Sequence, residues 1–345
     1  MAANPVFKLS LNGREVGGRS LRHLLSVELT ESMDSMDALS VQMMVPSDAD
    51  EVLSLARVGV PFVATLQDGE FKRTIDGDIV EVSHARSASA PWTVSLRGLD
   101  GMHRLKCTGS LQRCDGTHSE VVREIAKRNQ LKPEVEDVNA TFDEMMQLGS
   151  DAETLHSLAR KHNYIVRVQD GCLRFMRGSD PADTEPIVMV WGENLDDVQI
   201  SWHIDGLQTE MEGRGYDHER NQELSALADA RDLRRISQGP LGVELAQQAL
   251  GRRPGSPGRS SSGQLTGVRQ QAISDFQREA EQFLTGTVNG IGCPQAQSGR
   301  LLELRGAGPL SGRYLIRETR HSFGSGVGYR SSLSIVSDSL PPGFS

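Results

Sequence analysis

Short stretches in which apolar and polar residues alternate, separated by tight-turn dipeptides, limit most strongly how this chain can fold. In residues 7–11 (FKLSL) every second residue is apolar, and Asn12 and Gly13 follow as a hairpin turn. Asp-Gly pairs at 68–69 and 170–171 give the same hairpin signal. Because hairpins join antiparallel neighbours, the pattern predicts a mainly antiparallel β protein.

The first hundred residues consist mostly of such runs. A short helix is predicted over 48–56, with Ser47 as its N-cap. Many short strands without long crossovers favour a barrel or a sandwich. Further strands are predicted at 24–30, 39–45, 62–66, 79–82 and 92–96.

A small α+β region follows. Two capping boxes, at 117–120 (THSE) and 150–153 (SDAE), each predict the start of a short helix. The first helix and the strand predicted at 132–136 look like part of a LysM wall-binding module. The alternative is a domain that only packs against the barrel.

Strands return in the second half of the chain, at 187–191, 198–202, 207–213 and 301–336. Residues 252–264 (RRPGSPGRSSSGQ) predict a mobile loop because they are rich in Pro, Gly and Ser. A helix is predicted near 268–284, with its apolar face formed by Ala272, Phe276, Ala280 and Phe283.

These patterns predict a β-rich α+β fold with three parts. The first part is a β-barrel domain over 1–105, the second a small inserted α/β region over 106–180, and the third a second β-barrel domain over 181–345.

Composition argues against several classes of function. The net charge of −9 disfavours a surface that grips nucleic acid, since such binding neutralises phosphates with Lys and Arg. Aromatic residues, at 5%, are too few for a base-stacking platform. No apolar run approaches the ~20 residues of a membrane helix, and no basic leader precedes an apolar stretch at the N-terminus. We expect no specific nucleic acid partner, no stable membrane insertion and synthesis in the cytoplasm.

One set of residues has the chemistry of a metal site. His103, Cys107, Cys114 and His118 follow a His-x3-Cys…Cys-x3-His spacing, and thiolates and imidazoles are the ligands of structural zinc. The paired Cys-x2–4-Cys knuckle is absent, however. The alternative interpretation is two small buried thiols and two surface imidazoles.

No recognised catalytic motif occurs in the sequence. It contains no Gly-x-Ser-x-Gly elbow, no phosphate-binding Walker loop and no His-Glu-x2-His. The acidic pairs Asp76/Asp78 and Asp196/Asp197 could serve a glycoside hydrolase only across a cleft, and solvated turns are the simpler interpretation. We therefore expect no enzymatic activity and no cofactor.

Four groups of residues, in order along the chain, carry a resemblance to a known family. They are 75–79 with 95–100, 150–164 with 170–175, 211–217 (MEGRGYD), and 312–321 with 328–333. The chain resembles the phage late control protein D family, the baseplate hub of contractile tails, which is related to the hub region of VgrG spike proteins. The positions that match the family pattern are Gly77, Asp100, Leu155, Ala159, Gly171, Gly213, Tyr216, Gly312, Tyr314, His321, Gly328 and Tyr329.

The resemblance implies two tube-type antiparallel β-barrel domains in each chain. It implies a homotrimer whose six barrels adapt a six-fold inner tube to a three-fold spike. The expected partners are a separate spike protein, the first layer of the inner tube and other baseplate proteins, in a phage tail or injection particle. A net negative charge lining the lumen is a further hypothesis. The alternatives are a peptidoglycan-binding module and a wall-degrading enzyme.

Overall fold

A computed structural model describes most of the chain. The described residues are 6–16, 23–45, 54–108, 112–114, 116–138, 145–147, 149–178, 185–255, 258–260, 262–324 and 328–344. Most of the helix predicted at 48–56 lies outside this part; Ser54 and Leu55 are helical.

Seven strands lie in the described ranges of the first β region. Its first hairpin turns at Asn12 (φ 51°) and Gly13 (φ 73°), the left-handed pair that a two-residue hairpin requires. The predicted hairpin is therefore confirmed. The strands are β1 (Val6–Leu11), β2 (Arg14–Glu15), β3 (Leu24–Ser32), β4 (Ala38–Met44), β5 (Pro61–Asp68), β6 (Phe71–Ala85) and β7 (Thr93–Asp100).

The insert begins after a 3₁₀ helix, Gly101–Lys106. Both predicted capping boxes are formed, at the N-termini of its two helices. The apolar faces of these helices pack into one core with a three-stranded sheet, in which β9 runs parallel to β12. The elements are β8 (Gln112–Cys114), α1 (His118–Arg128), β9 (Lys132–Val135), β10 (Met145–Gln147), α2 (Asp151–His162), β11 (Tyr164–Gln169) and β12 (Cys172–Arg177).

The first capping box gives a direct test of local stability. The Thr117 hydroxyl accepts the Glu120 amide at 3.2 Å, and the Glu120 carboxylate accepts the Thr117 amide at 2.7 Å. We expect Thr117→Ala to lower the free energy of unfolding by about 1 kcal/mol, because the helix loses a cap. Urea titration measures the change, and Thr117→Ser, which keeps the hydroxyl, is the control. Equal loss in both variants would contradict the assignment.

The described part of the second β region contains nine strands and two α-helices. Helix α4 (Leu265–Ala280) begins and ends earlier than the predicted 268–284. It ends at Ala280 because residues 281–283 form a 3₁₀ turn and Leu284 starts a strand. All four residues of its predicted apolar face are buried. The elements are β13 (Ile187–Val190), β14 (Leu195–Trp202), β15 (Glu210–Asp217), β16 (Gln222–Asp229), α3 (Gly242–Leu250), β17 (Gly258–Arg259), α4 (Leu265–Ala280), β18 (Leu284–Ile291), β19 (Leu301–Arg305), β20 (Gly312–Gly324) and β21 (Gly328–Ser337).

The segment predicted as a mobile loop, 252–264, is tied to β15 through its described residues. The Gly255 amide donates to the Glu210 carbonyl at 2.8 Å, and the Ser260 amide donates to the Arg214 carbonyl at 2.7 Å. Strand β17 pairs with β15 in parallel. Composition cannot reveal that a strand edge lies alongside to accept these amides, and the mobility of the segment stays a prediction.

One continuous sheet joins the two β regions. Strand β20 pairs with β21 along one edge, and on its other edge first with β19 and then with β3. The sheet thus runs from β14 through β18, β21, β20, β3, β4, β7, β6 and β5 to β1. Its apolar side chains fill two separate cores, one in each β region. The predicted β-rich α+β class is confirmed.

Candidate functional site

A polar surface covers the side of eight adjacent strands that faces away from the two cores. Residues alternate along each strand, so that Val27 and Leu29 are fully buried while Glu28 and Thr30 lie on the other side. We call this surface the polar face. Its members are Ser26, Glu28, Thr30, Ser40, Gln42, Glu81, Ser83, Thr93, Ser95, Arg97, Asp197, Gln199, Ser201, Thr285, Thr287, Asn289, Glu318, Arg320, Ser322, Arg330, Ser332 and Ser334.

Strand register aligns these side chains in rows across the sheet. Gln199, Thr287 and Ser334 occupy neighbouring positions on β14, β18 and β21. Across the junction between the two β regions, Ser322 is paired with Glu28, and Glu28 with Ser40. The polar face therefore continues from one β region to the other without interruption.

Charges on the polar face are nearly balanced, with four acidic and three basic members, and five of these seven pair with one another. Arg320 lies 3.5 Å from Glu28 and 3.7 Å from Glu318. Arg97 lies 3.9 Å from Glu81, and both side chains are well exposed. Hydroxyl and amide groups make up most of the remainder, so this surface offers weak hydrogen-bonding groups and little net charge. The chain's excess of acid is located elsewhere.

A second feature is a cluster of charged groups buried where the two β regions and the insert meet. The Arg73 guanidinium on β6 donates two hydrogen bonds to the Glu31 carboxylate on β3, at 2.5 and 2.7 Å. It also donates to the Ala296 carbonyl of the second β region at 3.0 Å. His321 on β20 also lies in this cluster, and its Nε2 is 3.7 Å from the Glu31 carboxylate. We call the cluster the buried junction.

The insert reaches the buried junction through Arg167 on β11. Its guanidinium donates to the Ser298 carbonyl at 3.1 Å and lies 3.7 Å from the Asp37 carboxylate. The Asp37 amide donates to the Asp100 carboxylate at 3.3 Å. All three parts of the chain therefore contribute side chains to one buried network.

The pKa values of the three carboxyl groups in the buried junction are shifted in different directions. Burial alone would raise the pKa of Glu31, but Arg73, His321 and Arg167 outweigh it and keep this pKa below its ordinary value. Burial raises the pKa of Asp37 to about 7. Burial, and to a lesser extent the negative charge of Asp37, raise the pKa of Asp100 well above its ordinary value.

Three of the residues that carry the family resemblance lie in the buried junction. His321 Nδ1 is 3.0 Å from both the Tyr329 hydroxyl and the Ser331 hydroxyl. Burial lowers the pKa of His321, although the Glu31 carboxylate opposes this effect. Asp100 also accepts the Met102 amide at 3.1 Å and so starts the 3₁₀ helix that leads into the insert.

The other residues of the resemblance have structural positions. A Cβ at Gly77 would lie 2.0 Å from the Leu99 carbonyl oxygen, so only glycine fits there. Gly213 lies against Val268 of α4, and the Tyr314 hydroxyl donates to the Leu310 carbonyl at 2.7 Å. The remaining positions are two helix-core residues (Leu155, Ala159), two turn glycines (Gly171, Gly328), the first residue of β20 (Gly312) and an exposed tyrosine (Tyr216).

The three candidate metal ligands whose side chains the structure describes, His103, Cys107 and His118, do not form a metal-binding group. His103 Nδ1 contacts the Asp100 carbonyl at 2.8 Å, and its Nε2 lies 3.4 Å from Asp78. His118 is buried against His162 instead, with Nδ1 and Nε2 2.5 Å apart, so the surface-imidazole interpretation of His118 is wrong. Cys107 is exposed, and the side chain of Cys114 lies outside the described residues. Within the described ranges no three His, Cys, Asp or Glu side chains are grouped for a metal ion.

The acidic pairs have structural partners rather than an opposing carboxylate across a cleft. Asp78 accepts two hydrogen bonds from Arg104, each at 2.7 Å, and Asp76 accepts the Asp170 amide at 2.8 Å. Asp196 pairs with Arg330, and Asp197 accepts the Asn289 amide group at 3.0 Å. Separately, none of the helices in the described part of the chain has both the length and the apolar character required to cross a membrane.

Sequence reasoning missed Glu31, Arg73, Asp37 and Arg167. The sequence did indicate that Glu31 is buried. Glu31 follows Val27 and Leu29 at two-residue spacing on β3, so the alternation of the strand places its charge on the same side as these two core residues. Such a charge requires a buried partner. The sequence contains 37 Lys and Arg residues and does not indicate which one supplies it.

Several solved structures with a similar fold are described as tail proteins. The tail protein from Neisseria meningitidis MC58 superposes with a TM-score of 0.71 at 14% identity, covering 98% of both chains. The 43 kDa tail protein of prophage MuSo2 from Shewanella oneidensis gives 0.69 at 15% identity, covering 97% of this chain and 99% of the other. An E. coli component of the type VI secretion system, described as structurally similar to T4 tail proteins gp27 and gp5, gives 0.56 at 10% identity, covering 95% and 76%.

The chain therefore has the fold of the structural proteins of phage tails and related secretion systems, and the resemblance to hub proteins is confirmed at the level of the fold. In sequence, residues 109–324 match the family model described as the Alg8 N-terminal domain, and the chain belongs to that family. No curated protein matches the sequence significantly.

Proposed function

We propose that this protein is the structural baseplate hub of a contractile tail or injection system. The observation that carries the proposal is the polar face: an unbroken, nearly neutral wall of eight strands, within a tail-protein fold that extends over almost the whole chain. A wall of hydroxyl, amide and largely paired charged groups lets cargo pass without binding it. The hypothesis of a net negative charge lining the lumen stays a prediction.

The hub acts as a homotrimer whose polar faces together enclose a channel. Strand β14, at one end of the sheet, pairs only with β18 among the described strands, so its outer edge offers free amide and carbonyl groups. Trp191, half exposed, and Ile291 lie beside this end. Both features favour coverage by a neighbouring copy, and a head-to-tail contact that closes makes a ring. Two tube-type domains per chain, over 1–105 and 181–345, give six units in three copies.

The ring adapts a six-fold inner tube to a three-fold spike. A separate spike protein binds one side of it, the first tube layer binds the other, and further baseplate proteins surround it. The insert, 106–180, lies outside the channel and is fixed to it by the buried junction. The work is mechanical rather than catalytic: the chain is made in the cytoplasm and assembled into the particle.

The oligomeric state tests this proposal. Light scattering of the purified protein is expected to give three times the chain mass of 37.7 kDa. Trp191→Glu is expected to shift the protein toward monomer, because it places a charge in the proposed contact. Val58→Glu, the same change at an exposed residue of the first β region, is the control. A monomer that binds neither spike nor tube protein would contradict the hub assignment.

A further inference from the structure

A cleft lined by arginines lies between the insert and the second β region. One wall is formed by β11 and β12, and the other by residues 297–300. Its volume is about 160 Å³. Four guanidinium groups line it, and none of its described lining residues is acidic. They belong to Arg167, Arg174, Arg177 and Arg300.

Three of these arginines have carboxylate partners that do not line the cleft. Arg174 donates to Glu134 at 2.9 Å, and Arg177 lies 3.5 Å from Glu136. Arg167 is paired with Asp37 in the buried junction. These pairs fix the three side chains in position, while the cleft itself contains only the positive partner of each pair.

Arg300 differs from the other three. Its Nη2 donates to the Glu185 carbonyl at 3.2 Å, and no described carboxylate forms an ion pair with it. Its Nε is buried and has no hydrogen-bond partner among the described residues. A buried donor without a partner is costly, and a ligand that accepts from it recovers that cost.

We propose that this cleft binds a carboxylate side chain from an acidic segment of a partner protein. Guanidinium groups bind carboxylates through paired, charge-assisted hydrogen bonds. The volume equals that of about five water molecules, which suits one side chain rather than a metabolite. Ile165 and Met176 are apolar lining residues that can pack against the methylene groups of the bound acidic side chain. Nucleic acid fits less well, since the chain has a net charge of −9 and this cleft has no aromatic lining residue.

The inference goes beyond the hub proposal and does not depend on it. The cleft shares no residue with the polar face or with β14. Loss of binding in the cleft would leave the trimer intact, and loss of the trimer would leave the cleft intact.

Binding of a labelled peptide tests the site. The probe is a fluorescein-labelled peptide of alternating leucine and glutamate, and its glutamine counterpart is the neutral comparison. Fluorescence anisotropy should show saturable binding of the glutamate peptide, at least about tenfold tighter than the glutamine peptide and weakened by salt. Arg300→Gln should weaken binding about tenfold. Arg57→Gln, the same change at an exposed residue away from the cleft, should have no effect.

Several results would overturn the proposal. One is equal affinity for the two peptides, and another is unchanged binding by a folded Arg300→Gln variant. Displacement of the peptide by an oligothymidylate at lower concentration than by unlabelled peptide would assign the cleft to nucleic acid. Binding seen only after Asp180→Asn and Asp183→Asn would assign it to the chain's own acidic residues.

Discussion

Arg73→Ala is expected to lower the free energy of unfolding by about 3–5 kcal/mol, which is the range for removing one partner of a buried ion pair. The change leaves the Glu31 carboxylate, which is fully buried, without the two hydrogen bonds that Arg73 donates. It also removes the contact with Ala296, so the two β regions lose a connection. Urea denaturation at neutral pH measures the loss.

Two comparisons separate the effect of burial from that of charge. Arg97→Ala breaks an ion pair with Glu81 in which both side chains are more than half exposed, and should cost at most about 1 kcal/mol. Replacing both Glu31 and Arg73 by leucine should recover much of the loss, because no charge then remains buried. If Arg97→Ala is as costly as Arg73→Ala, the buried junction does not hold the fold together as described.

Acid is expected to destabilise the insert through the pair His118 and His162. Burial, and to a lesser extent the charges of His162 and Lys161, lower the pKa of His118 to about 3. Burial, followed by Lys161, lowers the pKa of His162 to about 4. Both rings ordinarily titrate near 6.5, so between pH 6.5 and 4 the unfolded chain binds protons that the folded chain does not. Stability is therefore full above pH 6.5 and falls as the pH decreases through this window.

The double variant His118→Gln/His162→Gln isolates this contribution. Each ring contributes about 1.4 kcal/mol per pH unit, so wild type should lose about 4 kcal/mol more than the variant between pH 7 and pH 5. Burial raises the pKa of Asp37 to about 7 and those of Glu281 and Asp338 to about 6, which acts in the opposite direction. These groups are present in both proteins and cancel in the difference. Parallel stability curves would refute the assignment.

Local features of the structure could be predicted because their causes are local. The turn at Asn12 and Gly13 needs only residues that tolerate positive φ, and the capping boxes need only a hydroxyl and a carboxylate three residues apart. The buried face of α4 follows from its 3.6-residue period, although its end does not, because the next strand competes for residues 281–284. The alternation of the strands likewise separates the polar face from the core.

The buried junction could not be predicted, since its members lie far apart in sequence. Arg73 and Glu31 are 42 residues apart, and Arg167 and Ser298 are 131 apart. Pairing His118 with His162, rather than with the nearby cysteines, likewise depends on how α1 and α2 end and pack.

The sequence by itself determined several turns, the starts of the two capped helices and the apolar side of most predicted strands, because these follow from residue spacing within one element. The tertiary structure alone decided which charges are buried together and that β20 merges the two β regions into one sheet. Such contacts depend on how strands far apart in the chain align, and residue spacing within an element carries no information about that alignment.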